Sequence, residues 1–321
     1  MKYMVEVEPY NRFWGNCITN MFLTILLKKE PSYEPLIYLN GYEYSYLSQD
    51  IFHLDYTTEY YNYFGDNLFI FKRCYFTDKN DFLNEFKEIL IANSYVTLNV
   101  DLFYWNKEGA YYNKVHRSHF SFVVGFNDEE NVFYVLEEDV NLNYGVQKIP
   151  VENVIWAVQS EYKSNCEDYR IIAYKYSELK PYKLDIVQIL SNAQNLVKCL
   201  DLFIDKKIIV DNATLLNNES NVHFYRNEFG KISYRLRGNI LLFETMESSG
   251  MIDKQLSDQL IRSINDISNK WKLVQNTFYK YYVTNRILEI DVNKRIQDLF
   301  INEKVMWLKL LQLSSQPVKQ L

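Results

Sequence analysis

The sequence predicts an α+β domain followed by a mainly helical one, and three observations carry that prediction. The chain has 321 residues, 48% of them hydrophobic and 24% charged, with only 9 Gly and 6 Pro. That is enough apolar surface for two cores of ordinary size. Aromatic residues are unevenly spread: 22 of the 28 Tyr and 14 of the 20 Phe fall at or before Tyr176. Apolar spacing changes at the same place, from mixed helix and strand periods to a helical period alone. Charge changes with it, because residues 1–176 carry 15 basic and 25 acidic side chains whereas residues 177–321 carry 20 and 16. Residues 177–183 (SELKPYK), with Pro181 in their middle, form the expected hinge. The expected domains are therefore 1–176 and 177–321.

In the first domain Cys17 opens a helix, since Ile18, Met21, Phe22, Ile25 and Leu26 recur at i, i+3, i+4, i+7 and i+8 before Pro31 ends the pattern. A second helix is predicted over 81–92, with Phe82, Leu83, Phe86, Ile89 and Leu90 on its apolar face. The tyrosine density of residues 42–76 suits half-buried strands and groove walls. Runs of β-branched and aromatic residues predict strands over 95–105, 119–126, 132–138 and 170–176, with a polar hairpin loop at 127–131 (NDEEN). Pro150 starts a short helix. In the second domain Leu256, Leu260, Ile264, Ile267, Trp271, Val274 and Phe278 step by three or four residues, the spacing of a core seam in a helical bundle. Further helices are expected at 184–203 and 292–313, and a small hairpin at 224–236.

The net charge of −6 argues against the phosphate backbone of nucleic acid as a main partner. The most hydrophobic run, residues 18–27, is too short and too polar for a secretory or membrane-spanning segment, so the expected location is the cytoplasm. Four cysteines with no CxxC pair predict free thiols.

Cysteine catalysis needs a thiolate, which a helix N-terminus favours through its unpaired N–H groups and dipole. Cys17 occupies such a position, preceded by Asn11-Arg12-Phe13-Trp14-Gly15-Asn16. Cys74 falls in a predicted strand, Cys166 in a polar loop and Cys199 among apolar helix neighbours, each the pattern of a structural thiol. A base is also needed, and of four histidines His53 and His223 lack a supporting pattern. His116 and His119 stand where the chain enters a strand; a metal site is disfavoured because no further Cys or His is near. His119 is the better base, since the strand fixes its backbone. An acceptor that orients the imidazole comes from the next strand, where Glu137 and Asp139 both satisfy the spacing and Glu138 points away.

A Cys at the start of the first long helix, followed a hundred residues later by a His opening a strand and then by an aromatic strand ending in an acid, resembles the papain-like fold. More narrowly, Asn16-Cys17, residues 99–104 (NVDLFY), the run from His116 through His119 to Gly125 and residues 132–137 (VFYVLE) resemble the N-terminal domain of the butirosin-biosynthesis acyltransferase family. The related amide-forming enzymes of closthioamide biosynthesis are similar too. The resemblance covers residues 10–160. It implies a papain-like cysteine-protease fold, a helix packed on an antiparallel sheet, with Cys17 as nucleophile, His119 as base and Glu137 as third member where the family usually has Asp. Asn11 falls where papain-like enzymes put an oxyanion-hole amide, usually Gln.

The resemblance implies an acyltransferase of natural-product (antibiotic) biosynthesis that moves an acyl group from a carrier-protein thioester, through an acyl-cysteine, to an amine. No cofactor would be bound by the protein itself; the acyl group would ride on the phosphopantetheine of an acyl or peptidyl carrier protein. Residues 270–309 carry eight basic and four acidic side chains, a surface expected to attract such acidic carriers. A cysteine peptidase, amidase or thioesterase using the same Cys–His pair is the alternative, and a non-catalytic binding protein a further one.

Overall fold

The computed structural model describes residues 1–12, 17–38, 42–46, 52–56, 68–74, 81–109, 111–138, 144–165, 171–206, 219–284 and 291–312. Along the chain its elements are β1 (Lys2–Met4), α1 (Cys17–Lys29), α2 (Glu34–Tyr38), β2 (Tyr42–Tyr46), β3 (Phe52–Tyr56), β4 (Phe69–Cys74), α3 (Phe82–Asn93), β5 (Tyr95–Asp101), β6 (Ser118–Asn127), β7 (Val132–Glu138), β8 (Tyr144–Pro150), α4 (Val151–Asn165), β9 (Ile171–Tyr176), α5 (Ile186–Ile204), α6 (Glu219–Ser248), α7 (Lys254–Thr284) and α8 (Val292–Leu311). This is an α+β protein with an antiparallel sheet. The chain divides into two units, Met1–Pro31 with Asn62–Pro181, and Ser32–Tyr61 with Tyr182–Leu321. The later break lies within the expected hinge. The earlier one differs from the expected boundary, because residues 32–61 belong with the helices.

In the first unit the strands run β4-β9-β5-β6-β7-β8, and β1 pairs with the far half of β6, in line with β5. One face of the sheet carries Val96, Leu98, Val100, Val123, Val135, Ile149, Ile171 and Ala173, all buried with Phe82, Phe86 and Leu90 of α3 and Val154, Ala157 and Val158 of α4. The other face carries Tyr174, against whose ring Phe22 of α1 packs edge-on at 5.5 Å. Gly125 sits where β1 and β6 approach most closely: an added Cβ would meet Tyr3 O at 2.4 Å and Met4 Cα at 2.7 Å, so no larger residue fits. β5 ends as a ladder at Asp101 and the chain turns through Leu102–Trp105, short of the expected strand end. β8 was not expected. Its exposed Val146 and polar Gln147 and Lys148 mask the alternation that defines a half-buried strand.

In the second unit α6 and α7 form an antiparallel pair. Gly250, at φ +72°, closes α6 while Met251 N–H donates to Met246 O, and the Asp253 carboxylate accepts from Leu256 N to start α7. The expected hairpin at 224–236 is instead part of α6. Tyr225, Phe229, Ile232 and Leu236 are all buried at helical spacing, with Phe229 stacked on Trp271 at 5.5 Å. The α7 seam is buried from Leu260 to Phe278, while Leu256 is only partly covered.

The hairpin of β2 and β3 explains why residues 32–61 join this unit. Tyr42 and Tyr44 are buried, not groove walls, and their hydroxyls donate to the two oxygens of Glu303 in α8 at 2.6 Å each. Asn239 Nδ2 donates to Tyr42 Oη at 3.1 Å, and the Arg235 guanidinium lies 4.9 Å from the Tyr42 ring centre. Burial pushes the Glu303 carboxyl above its ordinary value, with hydrogen bonds from Tyr42, Tyr44 and Trp307 pulling partly against it. Among the described residues, no helix is long and apolar enough to cross a membrane.

Candidate functional site

The segment leading to α1 is sewn in place by side chains rather than by a ladder. Asn20 Nδ2 donates to Tyr10 O at 3.0 Å, and Tyr10 N–H donates to Thr24 Oγ1 at 3.1 Å. Asn11 then bonds both ways with the backbone of Tyr144 in β8, donating to its carbonyl at 2.6 Å and accepting from its N–H at 3.0 Å. The same amide nitrogen also reaches Pro9 O at 3.4 Å. Both amide hydrogens are thus turned to carbonyl oxygens. These bonds tie the approach to α1 onto the edge of the sheet.

Cys17 is the first residue of α1, so its backbone N–H has no partner within the helix ladder. Its side chain lies outside the described residues, as do the side chains of His53 and His223, all of Cys166, and Asp139 with the end of β7. Cys74 and Cys199 are free thiols.

His119 and Glu137 come together. Their side chains are 19% and 11% exposed, and His119 Nε2 stands 3.4 Å from Glu137 Oε2. The other oxygen of Glu137 accepts from Trp105 Nε1 at 3.2 Å and from the Ser121 hydroxyl. Two donors therefore hold the carboxylate that faces the imidazole. Trp105 and Ser121 escaped the sequence reading; the signal for Ser121 is a hydroxyl two residues after His119, on the same side of the strand.

A cavity of about 150 Å³ is lined by Ile18 and Met21 of α1 together with Thr97, His119, Phe120, Phe122, Leu136, Tyr144, Ile172 and Tyr174. Strand alternation gives Phe120 and Phe122 to the α1 side and His119 and Ser121 to the Glu137 side. His119, second residue of β6 and so at the rim of the sheet, both meets Glu137 and borders the cavity. On the cavity wall Thr97 Oγ1 and Tyr174 Oη are 2.9 Å apart, and burial pushes the Tyr174 phenol up to about 12.

His116, in the loop before β6, is also held. Its Nδ1 lies 2.6 Å from Asp101 Oδ2, and its ring stacks on Phe103 at 4.2 Å and 9°. Asp101 further accepts from Ser160 Oγ at 2.7 Å, Phe103 N at 3.0 Å and Arg117 N at 3.2 Å. Burial pushes the Asp101 carboxyl up, but the hydrogen bonds from His116, Ser160 and the two backbone N–H groups outweigh it and hold the group below its ordinary value. Among the described residues β9 pairs with β5 as far as Leu98. Beyond that rung Glu161 and Ser160 of α4 bond Asn99 and Asp101 of β5.

Within residues 270–309 Glu303 is buried, Lys304 is paired with Asp201, and Lys270 lies 2.6 Å from Asp266. Compared with models of protein families and with curated proteins, the chain matches none.

Proposed function

We propose that this chain is a papain-like, cysteine-dependent acyltransferase that forms amide bonds. The observation that carries the reading is the His119–Glu137 pair at the border of an apolar cavity whose other wall is the first turn of α1, immediately after Cys17. In this reading the Cys17 thiolate attacks a thioester carbonyl on a carrier-protein phosphopantetheine, and His119 hands a proton to the departing thiol. An amine then attacks the acyl-cysteine. The N–H groups at the start of α1 stabilise the oxyanion, an effect worth about 3 kcal/mol per donor. Glu137 fixes the imidazole ring, as the third member of such a triad does. The apolar lining of the cavity limits the approach of water, which would otherwise divert the acyl-enzyme to hydrolysis. Natural-product assembly in the cytoplasm is the setting that fits carrier-bound donors, and the basic residues of α7 and α8 suit an acidic carrier.

Intact-mass measurement after incubation with a panel of acyl carrier-protein thioesters tests this. The expected result is an acyl adduct on the wild type that is absent from Cys17→Ala. An adduct that persists in Cys17→Ala, or no adduct with any donor, overturns the proposal. Rapid release of free acid with no transfer to added amines replaces it with a hydrolase.

A further inference from the structure

We propose that His116, oriented by Asp101, is a second general base, which deprotonates the acceptor amine; the proposal rests on the acyl-transfer reading above. An alkyl amine reaches the site at neutral pH as an ammonium ion, which has no lone pair for attack. One proton must leave before the C–N bond forms and a second as it forms. His119 accounts for the second only.

Asp101 is 4% exposed and tethered by four donors, so it fixes the ring of His116 and marks Nδ1 as the protonated nitrogen. The lone pair is then on Nε2. The His116 side chain is 62% exposed, and Nε2 meets no hydrogen-bond partner among the described residues. An imidazole so firmly held and so open at its second nitrogen is arranged for proton transfer with a solute.

Its location follows from strand register. Asp101 pairs with Ser118 and Val100 with His119, so the two imidazoles leave the sheet at the same end. Thr97, Asn99 and Asp101 alternate along one side of β5, and Thr97 lines the cavity. This polar stripe therefore leads from the cavity to His116. Glu161, also buried, accepts from Asn99 Nδ2 at 2.9 Å, which adds a second carboxylate beside the stripe. Tyr104 and the 58%-exposed Trp156, their ring centres 6.3 Å apart, supply aromatic faces that attract a cation. Carboxylates and aromatic rings together select a primary alkylammonium.

The protons balance. His116 Nε2 takes one proton from R–NH3⁺ and gives R–NH2, whose lone pair attacks the acyl-cysteine carbonyl. The C–N bond forms, His119 takes the proton shed by the nitrogen, and the C–S bond breaks to return the Cys17 thiolate beside imidazolium His119. His116 releases its proton to water.

The test separates acylation from aminolysis. Butanoyl-N-acetylcysteamine thioester serves as donor, and either ethylamine, a cation at neutral pH, or hydroxylamine, uncharged there, serves as acceptor. His116→Gln is expected to form acyl-enzyme at the wild-type rate and to react with hydroxylamine within about twofold of wild type. Its reaction with ethylamine is expected to fall by about 100-fold, the low end of general-base effects. Asp101→Asn is expected to show the same selective loss at about tenfold. Equal losses for both amines, loss of acylation in both variants, or no loss at all would overturn the role of His116. No acyl-cysteine on the wild type overturns the acyl-transfer reading itself.

Discussion

Glu137 faces two ways: one carboxylate oxygen lies 3.4 Å from His119 Nε2, and the other receives the Trp105 indole N–H and the Ser121 hydroxyl. Removing its charge and removing its volume therefore have different consequences. Glu137→Gln keeps an acceptor for Trp105 but loses the charge beside the imidazole, and is expected to slow acylation by about 100-fold or more with little change in stability. Glu137→Ala leaves two buried donors without a partner and is expected to destabilise the fold by about 1–3 kcal/mol. Urea unfolding alongside the acylation rate distinguishes the two. A Gln variant of undiminished rate would remove Glu137 from the mechanism.

Glu303 sets a pH dependence in the second unit. Because burial raises its carboxyl above the ordinary 4.5, the folded state binds this proton more tightly than the unfolded chain. Stability is then expected to fall as pH rises from about 4.5 through the folded value, with a slope approaching 1.4 kcal/mol per pH unit. Glu303→Gln cannot titrate, and its urea midpoint should lose that slope. Identical slopes in the two proteins would show that Glu303 does not govern it.

The cysteines differ in reactivity for physical reasons. Burial pushes the Cys199 thiol up to about 11, so about one molecule in ten thousand is thiolate at neutral pH. Cys74 is 9% exposed. Cys17, at a helix start, is expected to react with iodoacetamide at least about tenfold faster than either, as read by peptide mass mapping. Labelling of Cys17 no faster than Cys199 would count against an activated thiol.

What the sequence made legible was what depends on local spacing. α1 and α3 emerged from their i, i+3, i+4 patterns, and β6 and β7 from runs of apolar residues around a polar loop. Counting outward from that loop brought an acid level with His119 but left Glu137 and Asp139 both open. What it hid depends on the other side of a contact. Residues 224–236 mix aromatic residues with Gly230 and read as a hairpin, but Gly230 in α6 serves to admit the Gln275 side chain of α7. Composition assigned the tyrosines of β2 to the sheet, while their partner Glu303 lies some 260 residues further on. The bonds between Asn11 and the Tyr144 backbone likewise join residues far apart in the sequence. His116 looked like a loop residue because Asp101, its partner, precedes it across a turn.

The chain enters the helical unit at Ser32, leaves it, and returns at Tyr182. Excision at the hinge therefore cannot yield two self-sufficient fragments. A piece comprising residues 177–321 would retain Glu303 in its apolar setting while losing both phenols that solvate it, and one ending at 176 would carry a tyrosine hairpin with nothing to cap. The route of the polypeptide makes the helical unit depend on a segment supplied by the amino-terminal half.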